Sequence, residues 1–172
     1  MLYSVTYESP LGRCTLASDG EKLLGLWLEG QKYYGSRLTL PLTETPDCPV
    51  LVKTAAWLDS YLAGERPAVS ALPLGPIGSA FQQAVWRKLL EIPYGEVTTY
   101  GALARQLAAE LGRESMSAQA VGGAVGHNPI SIIIPCHRVV GVSGQLTGYA
   151  GGVAVKAKLL ALEGVSPSAF TR

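Results

Sequence analysis

The fold of the second half of this chain is decided by residues 99–125, which read TYGALARQLAAELGRESMSAQAVGGAV. Apolar side chains recur there at every fourth position: Leu103, Leu107 and Leu111. This spacing predicts a helix over 100–111, which Thr98 or Thr99 can cap and Gly112 can end. A second short helix is predicted over 117–125. Two short helices joined by a glycine-containing turn are typical of a helix-turn-helix, although many unrelated proteins share that pattern.

Upstream of this segment, residues 65–78 are rich in proline and glycine and predict a linker between two domains. After the linker, Ser79 and Gln82 form a capping-box pattern that begins a helix ending at Glu91. Before it, alternating β-formers and turn signals predict a β-meander over 2–8, 13–18 and 23–28. A loop over 29–45 and a helix over 49–63, which Asp47 can cap, complete this half.

Downstream of the two helices, the β-branched run Ser131–Ile134 predicts a short buried strand that ends at Pro135. The glycine-rich stretch 141–152 predicts a loop, and 153–162 predicts a final helix that Gly164 ends.

Composition excludes several classes of protein. The chain has 172 residues, of which 48% are hydrophobic and 16% charged, so it can bury a core and is not expected to be disordered. No apolar run approaches the roughly 20 residues of a membrane span, and no secretory signal begins the chain, so a cytoplasmic or nuclear protein is expected. The net charge of +1 gives no general case for nucleic acid, but residues 79–172 carry 8 basic against 5 acidic residues. An anionic partner is therefore expected at the second half.

The cysteines do not form a disulfide or zinc pattern. There are three, Cys14, Cys48 and Cys136, with two histidines and no C-x-x-C pair. We therefore expect neither a disulfide framework nor a metal, and we interpret Cys14 and Cys48 as small buried hydrophobes.

The candidate reactive side chains, a cysteine and a histidine, lie together in the segment Pro135-Cys136-His137-Arg138-Val139. Positive neighbours favour the thiolate of Cys136, and a histidine base can take the thiol proton when substrate arrives. Neighbouring side chains of a strand point to opposite faces, so contact between Cys136 and His137 requires an irregular turn or a bridging water. Taken alone, the pair favours a buried structural cysteine beside a surface histidine over a catalytic pair.

The surrounding motifs decide between these interpretations. Asn128-Pro129 precedes the cysteine, Gly148-Tyr149-Ala150-Gly151-Gly152 follows it, and Leu159-Leu160-Ala161-Leu162-Glu163-Gly164 closes the pattern. From about Ser79 to Gly164 the chain resembles the O6-alkylguanine-DNA alkyltransferase family. The resemblance implies an α/β N-terminal domain of ribonuclease-H-like type, 1–78. It also implies a mostly α C-terminal domain, 79–172, that is winged-helix-like and binds DNA through its helix-turn-helix.

The resemblance also implies a reaction. The family transfers an alkyl group from O6 of guanine in duplex DNA to its own cysteine, here Cys136, and O4-alkylthymine is a second candidate substrate. The thioether product is stable, so the protein is consumed as a single-turnover transferase. It is expected to act without a cofactor or a membrane, as a cytoplasmic monomer at the nucleoid. By family precedent, His137 removes the thiol proton through a water, Glu163 orients His137, Asn128 orders the site and Tyr100 donates its hydroxyl toward the base.

Base flipping is implied as well, because a paired guanine cannot reach a recessed thiol. The second helix is expected in the minor groove, where Gly122 and Gly123 allow a close approach; tight helix–helix packing is the alternative for its small residues. The family precedent places Arg138 in a role that holds the active-site turn. The expected base pocket is walled by Tyr149, Ala150 and Gly151, and Val139 is expected to pack on the ring of the base.

The chain departs from the family pattern in two places. Gln119 stands where an arginine often fills the gap left by the flipped base, so weaker DNA binding is expected. The turn before it is several residues longer and either reaches the DNA backbone through Arg113 or is neutral. Candidate phosphate contacts are Arg87, Lys88, Arg105, Arg113 and Arg138. A solvated helix face is the alternative for Arg87 and Lys88, and Lys156 and Lys158 are expected to face solvent.

Two other functions remain open at this point. A non-catalytic lesion-binding protein would mark damage for another pathway, but relatives of that kind replace the cysteine that this chain retains. A Cys-His hydrolase would require turnover and an oxyanion hole, which no motif here supplies.

Overall fold

The computed structural model describes residues 1–35, 38–146 and 149–165. Gly148 and part of the predicted 29–45 loop lie outside these residues. The chain divides into two compact units: Met1–Ile77 with Pro129–Ile133, and Gly78–Asn128 with the chain from Ile134 onward. The sequence did not predict that 129–133 belongs with the first unit. In the described part of the chain, no helix has the length and apolar character needed to cross a membrane.

The first unit contains a four-stranded sheet. Its strands are β1 (Leu2–Ser9), β2 (Gly12–Ser18), β3 (Leu23–Leu28) and β4 (Leu42–Glu44), in the order β3-β2-β1-β4. The first three pair antiparallel, so the predicted meander is confirmed. Strand β4 pairs parallel with β1 inside the predicted loop. Its three residues lie at the edge of the sheet and are too few to show an alternating pattern.

Helix α1 (Pro49–Leu62) supplies apolar side chains to the core of this unit, among them the fully buried Leu51 and Leu58. The predicted cap at Asp47 is wrong, because Cys48 is the N-cap residue and no side chain caps the helix. Pro49 favours the start of the helix in another way, because proline has no N–H to satisfy at the first helical position and its φ is already helical.

The segment Pro129–Ile133 lies along β3 as a bridge rather than a strand. The Leu26 amide donates to the Pro129 carbonyl at 2.9 Å, and the Ser131 amide donates to the Leu26 carbonyl at 3.1 Å. The predicted strand over Ser131–Ile134 is wrong, since the chain turns there with Ile132 at φ +72°. A β-branched residue rarely adopts that left-handed conformation, so the apolar run gave no sign of the turn.

The second unit is mainly helical. Its elements are α2 (Ala80–Leu89), β5 (Thr98–Thr99), α3 (Tyr100–Glu110), α4 (Ala118–Gly126), β6 (Val139–Val140) and α5 (Val153–Leu162). The Ser79–Gln82 capping box is confirmed at α2, and Thr99 caps α3. The indole N–H of Trp86 on α2 donates to the Ala124 carbonyl on α4 at 2.9 Å, in the buried interior.

The predicted helix-turn-helix is formed by α3 and α4, which pack against each other. Ser117 begins α4, and its hydroxyl accepts hydrogen bonds from the amides of Gln119 and Ala120. The two-part architecture, a sheet-containing first unit and a helical second unit, therefore agrees with the sequence prediction.

Candidate active site

The motif around Cys136 forms a single 3₁₀ turn, Cys136–Arg138, followed directly by β6. Pro135 precedes the turn with ψ 64°, and its carbonyl accepts a hydrogen bond from the Arg138 amide at 3.0 Å. The backbone is thus irregular at the cysteine–histidine pair, as contact between the two side chains requires. Both residues are buried: Cys136 is 6% exposed and His137 is 0% exposed.

Glu163 follows α5 directly, and its carboxylate contacts ionisable side chains of the site. Nε2 of His137 lies 2.7 Å from Glu163 Oε2. Arg138 donates from Nε to Oε1 at 2.8 Å and from Nη2 to Oε2 at 3.0 Å. The Gly95 amide donates to Oε1 at 3.2 Å. Because each of these donors stabilises the charged carboxylate, a fully buried Glu163 side chain can remain ionised.

This arrangement fixes the tautomer of His137. Burial lowers the pKa of His137, so the ring is neutral at neutral pH. Its one N–H is then assigned to Nε2, which donates to the carboxylate and leaves the Nδ1 lone pair as an acceptor. Nδ1 is buried and finds no hydrogen-bond partner within the described residues. His137 therefore presents a base that Glu163 holds in one orientation.

The Arg138 side chain is held by hydrogen bonds within the site. Besides Glu163, its Nη1 donates to the Ile92 carbonyl at 2.7 Å, and its side chain is only 12% exposed. A guanidinium with three short internal contacts has little capacity left for a DNA phosphate, so its position fits the holding role.

The thiol of Cys136 has opposing influences on its pKa. Burial is the largest and raises the pKa, so the thiol keeps its proton at neutral pH. A hydrogen bond from the Asn128 side chain and the nearby charge of Lys156 act in the other direction. Asn128 is itself oriented by donation from Nδ2 to the Ile134 carbonyl at 2.8 Å. The site therefore needs a base for deprotonation and already contains groups that stabilise the thiolate.

Lys156 corrects the sequence prediction. It was expected to face solvent, but its side chain is fully buried in the second unit. Its Nζ lies 5.9 Å from the centre of the Tyr100 ring, close enough for a cation–π contact. Burial lowers the pKa of Lys156 to about 8, opposed by its attraction to the Cys136 thiolate. Its helical spacing from Leu159 and Leu160 could have indicated a buried face, whereas Lys158 is exposed as predicted.

Tyr100 lies against α4. A Cβ added at Gly122 would come 3.6 Å from the Tyr100 ring, and one added at Gly123 would meet nothing within 4 Å. Gly123 is exposed, and so are Ala118, Gln119 and Ala120. Packing within this unit therefore does not require small residues on the outer face of α4, which weakens the helix-packing alternative for them.

The residues expected at the base pocket differ in their exposure to solvent. Val139 is fully buried in β6, and Tyr149 is 8% exposed. Ala150 and Gly151 are half-buried in the turn before α5.

One of the candidate phosphate-binding residues, Lys88, already forms ion pairs within the protein. Lys88 on α2 forms ion pairs with Glu91 at 3.3 Å and with Glu110 on α3, and its side chain is 12% exposed. Arg87, Arg105 and Arg113 are exposed.

Comparison with known proteins decides the family. The model of the 6-O-methylguanine DNA methyltransferase ribonuclease-like domain matches residues 1–76, and the model of the DNA-binding domain matches residues 80–165. This chain belongs to the 6-O-methylguanine DNA methyltransferase family. A methylated-DNA–protein-cysteine methyltransferase of Haemophilus influenzae is 44% identical over 94% of this chain and 86% of its own length. One of Mycobacterium tuberculosis is 45% identical over 95% of this chain and 93% of its own.

Solved structures agree with this assignment. The crystal structure of Mycobacterium tuberculosis OGT in complex with DNA is 42% identical, with a TM-score of 0.79 over 94% of this chain and 91% of that one. The predicted family membership is therefore confirmed.

Gln119 provides a test of DNA binding within this family member. It is exposed in the first turn of α4, and replacing it with arginine adds a cation where none is present. We expect Gln119→Arg to bind duplex DNA about fivefold more tightly, roughly 1 kcal/mol, by stacking and charge. Fluorescence anisotropy at fixed salt measures this. Gln119→Lys supplies the charge without the planar group and should gain less; an unchanged Kd for the arginine variant would contradict the expectation.

Proposed function

We propose that this protein repairs DNA by moving an alkyl group from O6 of guanine onto its own Cys136, once per molecule. The observation that carries the proposal is a buried thiol next to a neutral histidine that a buried glutamate orients. The names of the relatives, methylated-DNA–protein-cysteine methyltransferases, support the same reaction. O4-alkylthymine is a second candidate substrate.

The reaction begins with deprotonation of the thiol. The proton passes from Cys136, by way of a water, to Nδ1 of His137, the ring nitrogen left as an acceptor by the contact with Glu163. Asn128 and Lys156 stabilise the thiolate as it forms. The Glu163 carboxylate stabilises the imidazolium that forms on His137. Both products of the proton transfer, the thiolate and the imidazolium, are therefore stabilised by neighbouring groups.

The thiolate then displaces guanine in line at the alkyl carbon. A bond forms between Sγ and that carbon, the bond from the carbon to O6 breaks, and its electron pair stays on guanine. Tyr100 donates a hydrogen bond from its hydroxyl as negative charge develops on the base. Guanine takes up one proton overall, matching the proton that the thiol lost. No redox partner or cofactor is needed, because a thioether and guanine are the only products.

DNA must bring the damaged base to the thiol, since Cys136 is only 6% exposed. We propose that α4 enters the minor groove on its small-residue face, with Gln119 next to the gap left by the flipped base. Tyr149, Ala150 and Gly151 then wall the base pocket, and Val139 supports it from beneath.

We place this chemistry and DNA binding in 79–172, with 1–78 as a separate domain. At a finer level we infer that the first unit is ribonuclease-H-like and the second winged-helix-like. We propose a monomer, because one chain carries every group named in the reaction. Its substrate is chromosomal DNA, so its place of action is the cytoplasmic nucleoid.

Stoichiometry tests the proposal against the alternatives. With excess duplex containing O6-methylguanine, wild-type protein should restore one guanine per molecule and then stop, because the thioether is not cleaved. Quenched samples analysed for restored guanine give the yield. A lesion-binding protein would restore none, and a hydrolase would continue past one equivalent. Cys136→Ala should restore none, while Cys48→Ala, which alters another buried thiol, should retain the full yield.

A further inference from the structure

The loop between α2 and β5 makes a tight turn against the end of α5. The Glu96 amide donates to the Pro93 carbonyl at 3.1 Å, and Gly95, the third residue of this turn, adopts φ +81°. Glycine is favoured there because a type II turn requires a positive φ at its third residue. A Cβ added at Gly95 would lie 3.1 Å from the backbone carbonyl oxygen of Glu163, so the turn approaches the end of α5 closely.

The side chain of the second residue of the turn, Tyr94, contacts two groups of the candidate active site. Its ring faces the Arg138 guanidinium, whose central carbon lies 5.8 Å from the ring centre, within the range of a cation–π contact. Its hydroxyl donates to the Leu162 carbonyl at 3.3 Å, which is long for a hydrogen bond between two oxygens and therefore weak. The contact of the ring with Arg138 is thus the stronger of the two.

Arg138 in turn determines how the Glu163 carboxylate is oriented. Its Nε and Nη2 donate to different carboxylate oxygens, at 2.8 and 3.0 Å, and such a fork fixes the plane of the carboxylate relative to the guanidinium. Its third nitrogen, Nη1, donates to the Ile92 carbonyl at the start of the same loop. His137 contacts Oε2, the oxygen that also accepts from Nη2. A rotation of the guanidinium would therefore rotate the carboxylate and weaken its hydrogen bond to His137.

We propose that Tyr94 is a positioning residue for alkyl transfer, whose ring holds the Arg138 guanidinium in the orientation that directs the Glu163 carboxylate toward His137. This rests on the proposed function, because it takes His137 as the group that receives the thiol proton. Tyr94 acts through Arg138 and Glu163 rather than on the reacting atoms. Its effect is therefore expected on the rate of transfer and not on the affinity for duplex DNA.

Two substitutions separate the ring of Tyr94 from its hydroxyl. Tyr94→Phe retains the ring and should transfer at close to the wild-type rate on saturating duplex containing O6-methylguanine. Tyr94→Leu removes the ring, and its folded fraction should transfer about tenfold more slowly with an unchanged Kd for the duplex. Tyr7→Leu is the matched control, because Tyr7 is also half-buried and its hydroxyl donates to Asp59 at 2.6 Å in the first unit. This control should retain the wild-type rate.

A double variant tests whether Tyr94 acts through Glu163. If Tyr94 orients that carboxylate, replacing Tyr94 should matter little once the carboxylate is gone. Tyr94→Leu combined with Glu163→Gln should therefore transfer scarcely more slowly than Glu163→Gln alone. A full further loss of about tenfold in the double variant would overturn this route. A Tyr94→Phe variant as slow as Tyr94→Leu would overturn the role of the ring.

The hydrogen bond between His137 and Glu163 can also be observed without any transfer. A proton on Nε2 that lies in a 2.7 Å contact with a carboxylate gives a far-downfield proton NMR signal, which labelled histidine assigns to the ring. The signal should persist in Tyr94→Phe and Tyr7→Leu, and should move upfield or broaden in Tyr94→Leu. If wild type transfers the alkyl group and Tyr94→Leu does so at the same rate, the positioning role is wrong and the proposed function stands. If wild type transfers nothing but the signal responds as expected, the proposed function is wrong and Tyr94 only orients the His137–Glu163 pair.

Discussion

Replacing Glu163 with glutamine is expected to slow alkyl transfer by about a hundredfold or more, the usual range for loss of acid–base catalysis. The carboxylate holds Nε2 of His137 at 2.7 Å and compensates the imidazolium that forms when the thiol is deprotonated. An amide keeps the size of the side chain but removes that charge. Single-turnover rates on duplex containing O6-methylguanine, from pH 5 to 9, measure the effect.

The pH profile separates a chemical role for Glu163 from a structural one. Contact with Glu163 raises the pKa of His137 against the larger effect of burial. Without the carboxylate, His137 should remain neutral to lower pH, so the acid limb of the profile should move toward lower pH. A variant that was only less stable would lose amplitude at every pH alike. Glu96→Gln, an exposed change in the neighbouring loop, is the matched control. A wild-type rate in Glu163→Gln would remove the glutamate from the mechanism.

Replacing Lys156 with methionine should slow alkyl transfer and raise the free energy of unfolding. The buried ammonium lowers the pKa of Cys136. Without it the thiolate is harder to form, and we expect transfer at neutral pH to slow by about tenfold, equivalent to one pKa unit of the thiol. Lys158→Met, an exposed change two residues along α5, should have the wild-type rate.

The effect on stability has the opposite sign. Lys156 has a pKa of about 8 in the folded protein, below its ordinary value of 10.5, so the unfolded chain binds the proton more tightly. Between these pH values the unfolded state carries more protons, and the free energy of unfolding rises with pH. Below pH 8 the buried charge destabilises the fold, and its removal should stabilise the protein by about 3 kcal/mol at pH 7. Urea unfolding at pH 7 measures this; a less stable Lys156→Met would contradict the burial argument.

Much of the helical unit could be predicted because its signals are local. The capping box at Ser79, the cap at Thr99 and the stop at Gly112 each act within one helical turn, so the sequence contains the whole signal. The contact of His137 with Glu163 joins residues far apart in the chain. Only the family resemblance indicated it, since no spacing rule connects them.

The features that the sequence did not reveal depend on distant partners. Strand β4 exists because β1 offers an edge for it, and residues 129–133 turn because their amides and carbonyls meet β3. The hydrogen bond from Gly95 to Glu163 involves a backbone group, which a search for reactive side chains passes over. Lys156 was misjudged because a lysine is usually exposed, whereas here the packing of α5 buries it where its charge lowers the pKa of the thiol.

The central claim is that the alkyl group ends on one particular sulfur. Mass spectrometry of the intact protein and of its peptides, after incubation with duplex containing O6-methylguanine, tests that claim most directly. The account predicts a gain of one methylene equivalent, confined to the peptide that carries Cys136. Cys14 and Cys48 should remain unmodified in the same sample. An unmodified Cys136 in protein that has restored guanine, or a methyl group on another residue, would contradict it.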